Sequence, residues 1–379
     1  MERDKTHTDR PDGSGAHTTI LGAGVAGLAA GYYARKKGAP VTLYEAADHV
    51  GGLCATIRHG DFLFDCGAHR FHDRDPDITR EIKALLGDRL KKVHAPSHVF
   101  HEGALVNFPF TPVNIVRHMG LVVTARAGLE VLGARCAQGA PAQDFESFAI
   151  ATYGETLARL FLLNYSEKLW GLPCDQLSPA ISGERLKGFT PRALLLELLT
   201  GRRNGAGHVD GVFYYPTGGI GAIPEALAAA CGPDRIHTRA AVTGVHHERG
   251  RITAVTIHGR GTMPVDRLVS TLPCTVLADL LQPRPPERIM QCARRIRFRD
   301  IILVALFLNR ESATQSATVY FPSPEFCFTR IYEPRNRSAA MAPPGRTSLV
   351  AEIPCHSTGL HWALADADLA GLVQGQLAR

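Results

Sequence analysis

The chain has 379 residues, 45% of them hydrophobic, enough for about two domains with substantial cores. Charged residues make up 21%, aromatics 7%, and the net charge is +6. That bias suits an anionic ligand such as a phosphate or nucleotide, but no clustered basic face accompanies it, so it gives no nucleic-acid partner. The nine cysteines are scattered without a C-x-x-C pair. This argues against a disulfide framework and a zinc site and predicts reduced thiols in a cytoplasmic protein. No metal-ligand spacing, Ser-His-Asp order or phosphate loop stands out. The HH pair at 246–247 is expected in a turn.

Residues 1–17, MERDKTHTDRPDGSGAH, are polar, lack the apolar stretch of a signal peptide, and read as a disordered leader. No uncharged apolar stretch reaches spanning length. The best candidate, MGLVVTARAGLEVLGARC at 119–136, carries Arg126, Glu130 and Arg135 and reads as a soluble helix, so no membrane span is expected.

From residue 18 the elements follow in order. Thr18 to Leu21 is a short apolar strand, and Gly22, Gly24 and Gly27 follow at once. Leu28 to Lys37 has helical composition, with Gly38 after it. Val41 to Tyr44 is a second strand, ending at Glu45. Strand, glycine turn, helix, strand, acid is the order of a dinucleotide fold. The first glycine permits the turn, the second lets backbone approach a diphosphate, and the third lets helix and strand pack closely. Ala26 lies in the first helical turn, whose N–H groups face the phosphates. Glu45 is placed to accept from ribose hydroxyls.

The string EAADHVGG continues the motif with Gly51 and Gly52. Here the sequence resembles the FAD-binding fold shared by amine oxidases, protoporphyrinogen oxidase and UDP-galactopyranose mutase. In that group an acid followed by x-x-x-(Arg/His)-x-Gly-Gly brings backbone to the cofactor a second time. His49, in DHVGG, is similar to the mutase branch. The resemblance implies FAD contacts from Glu45, Ala46, His49, Gly51, Gly52 and Leu53. HGDFLFDCGAHRFH at 59–72 reads as a strand pair and a glycine turn, and its GAHRFH resembles the G-x-H-x-F-H of the mutases. That implies Gly67, Ala68 and His69 beside the flavin ring, with His69 as the catalytic candidate and His72 as a structural histidine.

YSEKLWG at 165–171 resembles the mutases' Y-x-x-K-x-W-G, which implies Tyr165 and Trp170 in the substrate pocket, with Arg185 as a fork for a diphosphate. FYYPTGGIGAIPEALAAA at 213–230 reads as a strand, a glycine turn near the cofactor, and a helix with Pro224 in its first turn. The next segment reads as a β-meander, and Val242 sits where the family holds adenine. Ile301 to Leu308 reads as a buried strand. The segments at 320–334 and 346–355 read as further strands, and these parts match the oxidoreductase relatives better than the mutases.

The fold class expected is α/β: a Rossmann-like FAD-binding domain with a parallel sheet, interleaved with a mixed helical and β-sheet substrate domain. The boundaries expected are 18–110 and 205–282 for the FAD domain, 111–204 for a helical substrate-side insertion, and 283–379 for substrate-domain strands and a terminal helix. The resemblance implies an FAD-dependent oxidoreductase with flavin N5 as hydride acceptor and a sugar or sugar-nucleotide substrate. Three alternatives stay open: a mutase-like isomerase using reduced flavin, a non-catalytic protein on a relic flavin fold, and a plain NAD dehydrogenase, which leaves Gly51-Gly52 without a reason. The chain ends at LADADLAGLVQGQLAR, without the glycine-acid segment that supplies the family's third FAD contact. The expectation is therefore a homo-oligomer or a completing partner chain, a truncated product, or a remnant.

Overall fold

A computed structural model describes residues 15–108, 112–136, 142–181 and 211–379. They group into two compact units, each discontinuous in sequence. The first takes the chain up to Thr56, Ala84–Leu86 and Ile220–Arg297; the second takes Ile57–Lys83, Gly87–Gly219 and Phe298–Arg379.

The first unit is built on a parallel four-stranded sheet in the order Arg267–Ser270, Thr18–Leu21, Val41–Tyr44, Ile236–His237. Ile20 pairs with Leu43 on one side and Val269 on the other. Ile20, Leu21 and Leu43 have no exposed surface, as expected for parallel strands covered on both faces. Helices Val25–Lys36 and Ala222–Cys231 pack together, and the Cys231 thiol donates to the Leu28 carbonyl at 3.3 Å. A second sheet runs Gly261–Pro264, Arg251–Ile257, Val242–Glu248, Leu281–Gln282. Its Val245, Val255 and Ile257 share a core with Leu21 and Tyr44.

Two local expectations change here. The histidine pair 246–247 lies inside strand Val242–Glu248 and not in a turn. The turn falls at Arg249 and Gly250, both at positive φ (49° and 77°), which is where a tight hairpin needs them. The last residue of the expected leader, His17, is held: its N–H donates to Asp266 at 3.1 Å and its ring meets Thr42 Oγ1 at 3.0 Å. Residues 1–14 lie outside the described residues.

The second unit carries a six-stranded mixed sheet in the order Asp300–Leu308, Thr347–Cys355, Arg330–Tyr332, Thr318–Tyr320, Ser97–His101, Ala104–Phe108. Helix Asp366–Leu377 sends Leu369 and Val373 into a core with Val304, Phe326, Phe328 and Ile353. The run Ile301 to Leu308 is therefore an edge strand and not a fully buried one. Val304 is covered, whereas Ile301 and Phe307 are 47% and 38% exposed. The helix expected at 119–136 is the later part of Pro112–Cys136, which breaks at Gly120 (φ 79°, ψ 165°). Helix Phe145–Tyr153, a π-helical stretch Ala158–Leu163 and helix Asn164–Trp170 enclose a small core of Phe145, Ala149, Leu163 and Cys174.

The unit boundaries differ from the sequence boundaries for a hydrogen-bonding reason. Ser97–His101 pairs with Thr318–Tyr320, and Leu90–His94 pairs with Val212–Pro216, so most of 57–108 belongs with the second unit. Residues 283–297 stay with the first. Among the described residues, no helix is long and apolar enough to cross a membrane, and no group of metal-ligating side chains forms.

Candidate active site

In the first unit the glycine turn does three separate jobs. Gly22 sits at φ +96°, and a Cβ there would come 2.6 Å from Thr271 Oγ1. Gly27 is tighter still, since its Cβ would lie 1.9 Å from the Gly22 carbonyl oxygen. These two are glycines because the protein packs on itself. Gly24 differs: it caps helix Val25–Lys36, and its Cβ would meet no protein atom within 4 Å. No acidic side chain occupies that helix's first turn and no side chain caps it. Ala26 is exposed beside it.

The second glycine pair closes on the first. Gly51 and Gly24 form a parallel bridge, and the Gly51 N–H donates to the Ala23 carbonyl at 2.9 Å. Gly51 and Gly52 both have positive φ (109° and 55°), and a Cβ on Gly52 would lie 3.3 Å from Gly24 Cα. Glu45 is fixed at both oxygens, accepting from Ala23 N at 2.7 Å and Ala47 N at 2.9 Å. Ala46 is exposed. His49 is exposed too, and its ring pairs with Asp48 at 2.8 Å. Leu53 is 82% exposed, and Val242 opens its strand half-buried.

The second unit places the GAHRFH turn among buried charges. Gly67 is buried at φ +144°, and a Cβ there would come 3.2 Å from the His69 ring. The Ala68 N–H donates to Glu352 Oε1 at 2.6 Å, and Arg330 Nε donates to Glu352 Oε2 at 2.5 Å. Arg337 is 3% exposed and donates to the His69 carbonyl at 3.1 Å. Its guanidinium lies 4.4 Å from the Tyr332 ring centre, and its Nε has no partner. Tyr215 donates to the buried Asp65 carboxylate, and Tyr332 donates to the Asp65 carbonyl at 2.7 Å.

Burial lowers the His69 pKa, with Asp65 and Glu352 opposing, which favours the neutral imidazole. Its Nδ1 is buried without a partner. Burial raises Tyr215 and Tyr332 well above the usual phenol range. Arg70 donates to Ser97 Oγ at 3.1 Å and Thr318 Oγ1 at 2.6 Å, lies 4.9 Å from the Phe213 ring, and is pushed down to about 10 by burial. Burial opposes the Arg330 charge, but Glu352 beside it holds the pKa above the ordinary value.

Tyr165 meets Tyr320 edge-on at 5.8 Å, and Tyr320 is the cross-strand partner of Arg330. Trp170 is 44% exposed at the end of the same helix. Five residues of helix separate the two side chains by roughly 140° around the axis, so they do not form one patch on it. Arg185 lies outside the described residues. Asp65, Arg330, Arg337 and Glu352 were not singled out from the sequence, and Arg70 appeared only as a letter within GAHRFH. No local spacing joins residues so far apart in the chain. The available signal was an arginine or acid inside an apolar strand, as in CFTRIY and LVAEIP.

These features define an α/β protein with a strand–glycine turn–helix of dinucleotide-fold type in one unit and a buried ionic cluster in the other. A family model described as flavin containing amine oxidoreductase matches residues 25–379, and the chain belongs to that family. Protoporphyrinogen oxidase 2 of Arabidopsis thaliana is 31% identical over 27% of this chain and 21% of its own length. Phytoene dehydrogenase of Streptomyces griseus is 27% identical over 72% of this chain and 57% of its own. The chain thus spans less than two thirds of the curated relatives it matches. The structure of reduced UDP-galactopyranose mutase superposes with a TM-score of 0.81 at 20% identity, covering 96% of this chain and 79% of that one. Wild-type putrescine oxidase bound to putrescine gives 0.64 at 18%, covering 96% and 81%. Both likenesses concern the fold. FAD is the cofactor that the family and the diphosphate-type turn together specify, and the open space at Gly24 fits it.

Proposed function

We propose that the chain is an FAD-dependent oxidoreductase acting on a small anionic substrate of the sugar or sugar-nucleotide class. One observation carries the reading. Gly24 is a glycine that no protein contact requires, placed between a strand end and a bare helix N-terminus. The space beside Gly24 leaves room for a group from outside, and the helix N-terminus favours an anion such as a diphosphate.

Bound FAD supplies a two-electron acceptor. The chain's residues do the rest. The N–H groups of helix Val25–Lys36 hold the diphosphate, and Glu45, pre-oriented by two backbone donors, accepts from ribose hydroxyls. Ala26, Ala46, His49, Leu53 and Val242 border that end of the cofactor. The family resemblance of GAHRFH assigns Gly67 and Ala68, in the second unit, a backbone role at the flavin. His69 presents a neutral imidazole whose Nδ1 can hold or accept a proton at the substrate. Tyr165 offers an aromatic edge to a sugar or base. Trp170 presents a second aromatic surface.

The charge of the second unit supports an anionic substrate. Arg70, Arg330 and Arg337 act on one another, against the carboxylates of Asp65 and Glu352. Glu352 is already shared between Ala68 and Arg330. An ammonium substrate meets uncompensated like charge, and a phosphate or carboxylate is attracted.

Purified protein should show flavin absorbance, and Gly24→Val should abolish it while leaving the fold intact. No flavin bound after refolding with excess FAD would overturn the cofactor reading. Anaerobic bleaching of the flavin by nucleotide sugars is the expected turnover signal; bleaching by simple amines would overturn the anionic-substrate reading. The same sample, reduced first, decides the mutase alternative by whether it interconverts pyranose and furanose nucleotide sugars.

A further inference from the structure

Lys168, in YSEKLWG, lies on helix Asn164–Trp170 between Tyr165 and Trp170. Among the described residues it has no carboxylate partner. Its Nζ instead donates to three backbone carbonyls, those of Phe321 at 2.7 Å, Ser323 at 2.8 Å and Phe328 at 2.8 Å. All three lie on the loop between strands Thr318–Tyr320 and Arg330–Tyr332. An ammonium has three donors, and here it finds three acceptors on one loop. The loop folds around its own rings: Phe321, Phe326 and Phe328 are buried against one another at 4.8 to 5.5 Å. A backbone wrapped round apolar rings turns carbonyls inward, where they need donors.

Lys168 lies three residues after Tyr165, hence on the same side of the helix. The clamp therefore acts where Tyr165 meets Tyr320, beside the Tyr320–Arg330 strand pair. The helix end is held as well. Arg299 donates to the Lys168 and Leu169 carbonyls at 3.3 Å each and to the Pro354 carbonyl at 3.2 Å. Gly171 makes room for it, since a Cβ there would lie 2.6 Å from Arg299 Cζ.

We infer that Lys168 is a positioning residue: its ammonium pins the Tyr165 helix to the Tyr320–Arg330 hairpin and so fixes the aromatic and cationic groups that receive the substrate. The effect on turnover rests on the proposed function; the clamp itself does not.

The test is made first without flavin or substrate. In a Trp362→Phe background Trp170 is the sole tryptophan and reports on the helix. Lys168→Met is expected to raise acrylamide quenching of Trp170 about twofold, by removing three charge-assisted hydrogen bonds. In Lys168→Ala, methylammonium should restore the original quenching, and tetramethylammonium, which has no N–H, should not. Unchanged quenching in Lys168→Met, or rescue by both ions alike, would overturn the inference. If these variants fail to fold, reductive methylation of the parent protein decides: Lys168 must resist where the exposed Lys91 and Lys92 react, and equal rates overturn the clamp. With substrate, KM should rise about tenfold while kcat changes less than about twofold, a split that a purely structural role, lowering Tm alone, does not produce. Failure to bind flavin would sink the proposed function and leave the quenching result standing.

Discussion

The cradle of the first unit and the ionic cluster of the second are made of different material. The cradle is backbone: Gly22, Gly24, Gly27, Gly51 and Gly52 act through the side chain they lack. The cluster is side chain: Glu352, Arg330, Arg337, Asp65 and two tyrosines act through charge and hydrogen bonds brought from distant strands. A site of the first kind is damaged by adding an atom, and one of the second kind by removing one.

The largest effect is expected in the cluster. Glu352 is 2% exposed and bonds both Arg330 and Ala68. Glu352→Ala leaves a guanidinium and an N–H without their acceptor and should cost roughly 3–5 kcal/mol in chemical denaturation. A cost under about 1 kcal/mol would show that water replaces the carboxylate. Next comes Gly27→Ala. A methyl 1.9 Å from a carbonyl oxygen forces helix and strand apart, and about 3 kcal/mol of stability should go with it.

Gly24→Ala sharpens the contrast within the cradle. The same methyl enters open space, so Gly24→Ala should cost no more than the roughly 1 kcal/mol of a weaker helix cap while FAD affinity falls at least about tenfold. Equal loss of stability in both alanine variants would remove the distinction between packing glycines and ligand glycines. The smallest effect is a pH dependence. Burial lowers the folded-state pKa of His69 below its unfolded value of 6.5. The unfolded chain then binds the extra proton first, so stability is full above pH 6.5 and falls as pH drops toward the folded pKa. His69→Asn should flatten that part of the stability–pH curve.

The contrast also explains what could be read in the amino-acid sequence. Strands Thr18–Leu21 and Val41–Tyr44 begin and end where the apolar runs do, because parallel strands covered on both faces cannot hide their composition. The geometry of the glycine turn and of Glu45 at the strand end was legible because these residues are neighbours in the chain. Ile301 to Leu308 is as apolar as the core strands but lies at a sheet edge, and composition does not report which side of a sheet a strand takes. His246 and His247 looked like turn residues, whereas the turn needed the positive φ taken up by Arg249 and Gly250. The cluster was not legible, since Asp65 and Tyr332, or Ala68 and Glu352, meet only after the sheet is assembled.

The strand order of the first unit also carries a consequence for synthesis. Thr18–Leu21 takes Arg267–Ser270 as a neighbour, and His17 bonds Asp266 across a separation of 249 residues. At translation rates of 5–20 residues per second, the first strand waits roughly 12–50 s for that partner to leave the ribosome. During that interval the nascent chain displays an unpaired strand edge whose Ile20 and Leu21 are buried in the finished fold. The nucleotide half, first to be written, is among the last to close, and its yield in a cell should depend on what shields that edge in the meantime.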